Sequence, residues 1–260
     1  MAALGVWGDV KATLGDDHVA VVRIHRPPNN FFDQALIGSL AEAFEALDAA
    51  ADCRVALLCS EGKHFCAGAN FGTRAPATAD MGGRHLYDDA VRLFASRTPS
   101  VAVVQGAAVG GGLGLALFSD FRVCAPEARF TANFARLGFH HGFGLSVTLP
   151  RLVGQQRAME LLYTGRRVPG EEAQALGLAD RVAPLDRLEE EARVLAREIA
   201  ASAPLAIDSI RETLRGGLAE EIRRATDREK AEQERLQRTE DFREGIRASA
   251  ERRTPRFQGR

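Results

Sequence analysis

Apolar positions in the first half of the chain fall into short runs separated by turn-forming or helix-forming stretches. Lys11 to Leu14 and His18 to Ile24 have the β-branched content of two strands, and Gly15-Asp16-Asp17 between them supplies turn chemistry, which predicts a hairpin. Leu36, Leu40, Phe44 and Leu47 recur at the spacing of one helical face, so 33–50 reads as an amphipathic helix with Asp33 as its N-cap. Arg54 to Cys59, Val101 to Gln105 after Pro99, and Asp120 to Cys124 are short buried strands. Strands alternating with helical stretches predict parallel βαβ units. From Gly154 onward the pattern is almost wholly helical, interrupted at Gly165, Gly170, Gly177, Pro184, Pro204 and Gly216-Gly217, with only Asp180 to Ala183 strand-like.

The expected organisation is an α/β core over residues 1–200 followed by a helical region over 201–260. Val194 to Ala203 and Pro204 to Leu214 are amphipathic. Arg223 to Arg243, dominated by Arg, Lys, Glu and Asp, reads as a solvated helix face, and the basic tail from Arg252 to Arg260 as a frayed end.

Composition narrows the function. A chain of 260 residues, 45% hydrophobic and 27% charged, can bury a large core. Its 34 basic and 35 acidic residues are interleaved, so no basic face recommends a nucleic-acid partner, and a small ligand is expected instead. Met1 to Gly8 lacks a signal-peptide pattern and no later run is long enough for a membrane helix, so a cytoplasmic protein without a membrane partner is expected. The cysteines, Cys53, Cys59, Cys66 and Cys124, have neither disulfide-frame nor zinc-ligand spacing, and no metal is expected.

Two segments carry the chemistry, Glu61 to Phe71 (EGKHFCAGANF) and Gln105 to Asp120 (QGAAVGGGLGLALFSD), each just after a strand. In the first, Ala67-Gly68-Ala69 carries little side chain and lets amides approach a ligand. In the second, Gly110-Gly111-Gly112 opens a helix whose free N–H groups favour developing negative charge. Two such amides converging on one oxygen make an oxyanion hole. The plain alternative is a tight strand-to-helix turn. A dinucleotide loop fails on register, since G-x-G-x-x-G begun at Gly110 reaches Leu115, and the Gly-Lys-Ser/Thr of a phosphate loop is absent.

HFCAGAN resembles the F-x-A-G-A-D segment of the crotonase superfamily (enoyl-CoA hydratase/isomerase family), and QGAAVGGGLGLALFSD resembles its N-G-x-A-x-G-G-G-x-E-L-A-x-x-C-D segment. Arg26-Pro27, Leu137-Gly138 with the Gly142/Gly144 loop, Arg151 to Gly154, Leu162 to Leu178 and Asp180-Arg181-Val182 extend the similarity over roughly residues 10 to 250. The resemblance implies a ββα spiral core with a helical C-terminal trimerisation region, assembled as trimers or dimers of trimers. It also implies an acyl-CoA thioester as ligand, with no cofactor beyond the CoA that the substrate carries. Ala67 and Gly111 would donate the oxyanion amides, and Cys66, Ala69, Asn70, Phe71, Gly110, Gly114 and Phe134 would line the substrate site. The backbone from Ala67 to Phe71 would meet the adenine end of CoA.

The two glutamates with which enoyl-CoA hydratases activate water fall on Gly114 and Phe134 here. Loss of both removes the acid/base pair and is expected to enlarge or dry the pocket. His64, His85 with Tyr87, and above all His140-His141 are the candidate replacements, because imidazole titrates near neutrality. The carboxylate that dehalogenases of this superfamily place in the same loop falls on Gly142. Asp120 is expected to be structural, Asn70 replaces the commoner aspartate, and Arg74, Arg84 and Arg92 could meet CoA phosphates. The expected function is an acyl-CoA enzyme performing isomerisation, decarboxylation or hydrolysis, and the alternative is a non-catalytic acyl-CoA scaffold.

Overall fold

The computed structural model describes residues 1–71 and 84–260. The chain opens with β1 (Ala2–Trp7), β2 (Val10–Leu14) and β3 (Val19–Ile24), joined antiparallel, the last two being the expected hairpin. β1 lies at the sheet edge with no buried side chain, so it carries no alternation for a sequence reading to find. Next comes α1 (Gln34–Ala49), capped as expected by Asp33, whose carboxylate accepts from the Leu36 amide at 2.9 Å. β4 (Val55–Ser60), α2 (Leu86–Phe94), β5 (Ser100–Val104), β6 (Ala107–Val109), α3 (Gly111–Phe118), β7 (Phe121–Cys124) and β8 (Arg129–Thr131) follow. The remainder is α4 (Leu145–Thr164), β9 (Arg167–Pro169), α5 (Gly170–Ala175), β10 (Arg181–Val182), α6 (Leu188–Ala200), α7 (Pro204–Arg215), α8 (Leu218–Leu236) and α9 (Glu240–Ala250).

The larger sheet has the order β1-β2-β3-β4-β5-β7-β10, parallel from β3 onward, and the smaller has the order β6-β8-β9. Both faces of the larger sheet are covered. Ala20, Val22, Ile24, Ala56, Leu58, Ala102 and Val104 join the main core with α1, α2 and α3, whereas Val19, Val21, Val55, Leu57, Val101, Val103 and Val123 pack against α6. A strand buried on both faces reads as a continuous apolar run, which is why these strands were predictable.

Two expectations about the C-terminal part are corrected. The charged run on α8 has a buried face, because Ile222, Thr226, Glu229 and Gln233 recur at helical spacing and are all buried. The tail after α9 is folded back rather than frayed: the Asp241 carboxylate accepts from the Gln258 and Gly259 amides, both at 2.7 Å. Helix α7 has no buried side chain and is held by Arg211 and Arg215, both paired with Asp120, which also accepts from the Ser100 amide at 2.8 Å. Asp120 is thus structural. No helix among the described residues is long and apolar enough to cross a membrane.

Candidate active site

The two Gly/Ala segments lie side by side because Cys66 pairs in parallel with Ala108. The Cys66 amide donates to the Ala107 carbonyl at 2.9 Å, and the Val109 amide donates to the Cys66 carbonyl at 3.0 Å. The chain then turns at Gly68, whose φ is 84° and where an added Cβ would stand 2.7 Å from the Val109 carbonyl oxygen. Only glycine fits both demands.

The turn decides which amides are available, and it corrects the assignment of Ala67. The Ala67 N–H donates to the Asn29 carbonyl at 2.9 Å and is committed to the scaffold. Ala69 and Gly111 both line the cavity, and among the described residues neither amide makes a backbone hydrogen bond. Gly111 is the first residue of α3, where amides have no intrahelical acceptor and the dipole is positive.

The cavity in front of these amides has a volume of about 620 Å³. Ala69, Asn70, Phe71, Gly110 and Phe134 line it as expected. Cys66 does not: its side chain is buried behind the wall, where burial pushes the thiol up to about 12. Gly114 does not either, and its lack of a side chain leaves no extra room. A Cβ there would fall 2.8 Å from Cβ and Cδ1 of Phe143, a buried residue held at φ 61°, so the Phe143 side chain occupies the space next to Gly114.

The histidines among the candidate bases lie elsewhere, and of those candidates only Tyr87 lines the cavity. His140 and His141 stack on each other at 4.1 Å and do not line the cavity. His140 Nδ1 bonds the His141 carbonyl, and His141 Nε2 the Ser146 hydroxyl, each at 2.8 Å. Burial, aided by neighbouring His140, brings His141 down to about 4. His64 Nδ1 accepts from the Ala107 amide at 3.2 Å, and His85 caps α2. His64, His85 and His140 thus hold backbone, and His141 holds a side chain. Arg84 and Arg92 both pair with buried Asp89, at 2.7 and 2.6 Å, and Arg74 lies outside the described residues.

The residues that sequence reasoning missed are Gln233, Glu229 and Asn133, which join the named candidates Tyr87 and Gly142. The Tyr87 hydroxyl, at the cavity wall, donates to Gln233 Oε1 at 2.9 Å, while Gln233 Nε2 donates to the His140 carbonyl at 3.0 Å and so fixes the amide's orientation. A Cβ on Gly142 would lie 1.9 Å from the Tyr87 oxygen, so Tyr87 stands where a side chain at 142 would begin. Glu229, wholly buried, accepts from the Gly144 amide at 2.9 Å, the Ser146 amide at 3.1 Å and the Ser146 hydroxyl at 2.7 Å, capping α4 from another helix. Burial raises its pKa. Asn133 also lines the cavity, its Oδ1 being 3.5 Å from where a Cβ on Gly110 would stand, and its carboxamide has no hydrogen-bond partner among the described residues. No Asp, Glu, Lys, Arg or His lines the cavity among the described residues.

The sequence model of the enoyl-CoA hydratase/isomerase family matches residues 15–260. The chain belongs to this family. An enoyl-CoA isomerase/hydratase of Zymoseptoria tritici is 34% identical over 265 residues, covering 93% of this chain and 84% of the relative. The crystal structure of an enoyl-CoA hydratase/isomerase from Pseudoalteromonas atlantica superposes with a TM-score of 0.87 at 28% identity, covering 96% of this chain and all of that one. An enoyl-CoA hydratase from Mycobacterium avium subsp. paratuberculosis gives 0.84 at 28% identity, over 97% of this chain and all of its own. The fold is the crotonase fold of that family, with a helical C-terminal region.

His141 provides a pH prediction for this family member. Its folded pKa lies below the ordinary 6.5, so the unfolded chain binds the proton more readily. Its contribution to stability is therefore intact above pH 6.5 and is lost as the pH falls toward about 4. Urea unfolding at about pH 7.5 and about pH 4.5 should show wild type losing more stability than His141→Asn. Equal losses would refute the assignment.

Proposed function

We propose that this chain is an acyl-CoA-processing enzyme in which the Ala69 and Gly111 amides hold the oxygen of a thioester enolate or tetrahedral intermediate. The observation that carries the reading is the pair of amides without backbone acceptors among the described residues, on adjacent segments and on residues that line one cavity. Each donor in such a hole supplies roughly 3 kcal/mol of transition-state stabilisation. Polarisation works as follows: the thioester oxygen accepts both N–H groups, and negative charge that develops on it meets the positive end of α3.

Water addition by two glutamates finds no support, since Phe134 stands at one position and Phe143 fills the space beside Gly114 at the other. Isomerisation, decarboxylation and hydrolysis are the reaction types in which the same oxyanion forms. The Asn133 carboxamide, beside Gly110 and without a hydrogen-bond partner among the described residues, is a polar group that can orient the reacting acyl unit. Mass spectrometry of enoyl-, malonyl-type, β-keto- and aryl-CoA thioesters after incubation with the protein tests the proposal. An enzyme-dependent mass change or isomer shift supports it and names the reaction. Binding of thioesters with no product from any class supports the acyl-CoA scaffold instead.

We also propose that the chain assembles as a homotrimer or a dimer of trimers. On α7, Ile210 and Leu214 are 54% and 77% exposed, an apolar stripe on a helix that is held to its own chain by Arg211 and Arg215 and not by apolar burial. Light scattering is expected to give a multiple of 28.1 kDa, and a monomer at micromolar concentration would exclude it.

A further inference from the structure

We infer that the acyl group taken by this cavity is uncharged and aromatic, an inference that rests on the acyl-CoA reading above. The first observation is charge. A carboxylate or ammonium on the acyl group would be desolvated against a described lining that offers no counter-ion. The polar side chains in that lining, Asn70, Tyr87, Asn133, Gln233, Gln237 and Ser249, are all uncharged, and Tyr87 and Gln233 already bond to each other.

The second observation is the wall itself. Phe71, Phe134, Phe139 and Phe242 form a continuous edge-to-face array, with ring centroids 6.0 Å apart for Phe71 and Phe139, 5.3 Å for Phe134 and Phe139, and 5.3 Å for Phe139 and Phe242. All four line the cavity, and they come from the first Gly/Ala segment, the turn after β8 and α9. Phe32 lies against Gly111, where an added Cβ would stand 2.1 Å from the ring. An array of this kind presents both ring faces and ring edges, which a bound ring can meet in offset or T-shaped contact beyond what its buried area supplies. A straight acyl chain of similar apolar area meets the same surface without that term, and it loses more rotamer freedom on binding.

The third observation is size. A cavity of about 620 Å³ exceeds what a single file of methylenes fills, and a benzene ring needs only a site of roughly 150 Å³. Room remains for the thioester and the end of the pantetheine arm.

Calorimetric titration with free CoA, heptanoyl-CoA, 3-phenylpropanoyl-CoA and succinyl-CoA tests the inference. The phenylpropanoyl thioester is expected to bind roughly tenfold more tightly than the heptanoyl thioester, and succinyl-CoA no more tightly than free CoA. Phe139→Leu and Phe242→Leu keep apolar volume while removing a ring, and each should narrow the phenylpropanoyl-to-heptanoyl ratio. Equal binding of those two thioesters, both tighter than CoA, overturns the aromatic assignment and leaves the acyl-CoA reading standing. Tight binding of succinyl-CoA overturns the uncharged assignment. If no thioester binds better than CoA, the acyl-CoA reading and this inference fail together. The wild-type ratio decides the matter even where a leucine variant fails to fold.

Discussion

Crotonyl-CoA mixed with this protein is expected to gain water at least roughly 10⁴-fold more slowly than with a two-glutamate hydratase, because each missing acid or base group contributes ~10²–10⁴-fold. On the proposed reading the Ala69 and Gly111 amides still hold the thioester oxygen, so binding and polarisation are expected to be retained while proton delivery is lost. Restoring the first carboxylate as Gly114→Glu is expected to fail. Its Cβ would stand 2.8 Å from Phe143, whose side chain is buried and whose backbone is already in the left-handed region, so the ring has no free volume to enter. That variant should lose ~1–3 kcal/mol of stability or more, without hydrating the substrate. Loss of enoyl-thioester absorbance and urea unfolding measure the two effects. Fast hydration by the unaltered protein would sink the mechanism, and a Gly114→Glu variant as stable as wild type would sink the packing argument.

Glu229→Ala is expected to cost about 3 kcal/mol or more. Three donors, the amides of Gly144 and Ser146 and the Ser146 hydroxyl, would be left without their acceptor inside the protein. Gly144 heads α4 and follows Phe143, so the same carboxylate caps a helix and steadies the loop that seats Phe143 against Gly114. Glu229→Gln should also destabilise, since its two oxygens both accept from donors and a carboxamide would turn an N–H₂ toward one of them. Urea midpoints of the folded variants check this. A loss below about 1 kcal/mol in Glu229→Ala would show that water replaces the carboxylate readily.

Helix α7 shows a similar division between local pattern and distant contact. Helix α7 was legible as amphipathic from Pro204 to Leu214, yet the structure joins its polar side to the core through Arg211, Arg215 and Asp120 and leaves Ile210 and Leu214 outward. Periodicity reports that a face exists. It cannot report which face meets the rest of the same chain.

What the sequence determined by itself was the large sheet, the capped helix α1, the two Gly/Ala segments and the family they resemble. Strands β3, β4, β5 and β7 are apolar on both faces, and Asp33 stands one residue before a helical repeat, so the local chain carries the whole signal. Strands β6, β8 and β9 have three residues each, too few for any period to show, although β6 delivers Gly110 and Gly111 to the cavity. Tertiary structure alone decided that Ala69 and not Ala67 presents a free amide, because the outcome depends on the turn at Gly68 and on a carbonyl at Asn29, far away in sequence. It alone decided that Phe143 fills the space beside Gly114, that His141 faces Ser146, and that Glu229 is buried within a charged run. A hydrophobic pattern averages over one element, whereas hydrogen-bond commitment and filled volume belong to pairs of residues that only the fold brings together.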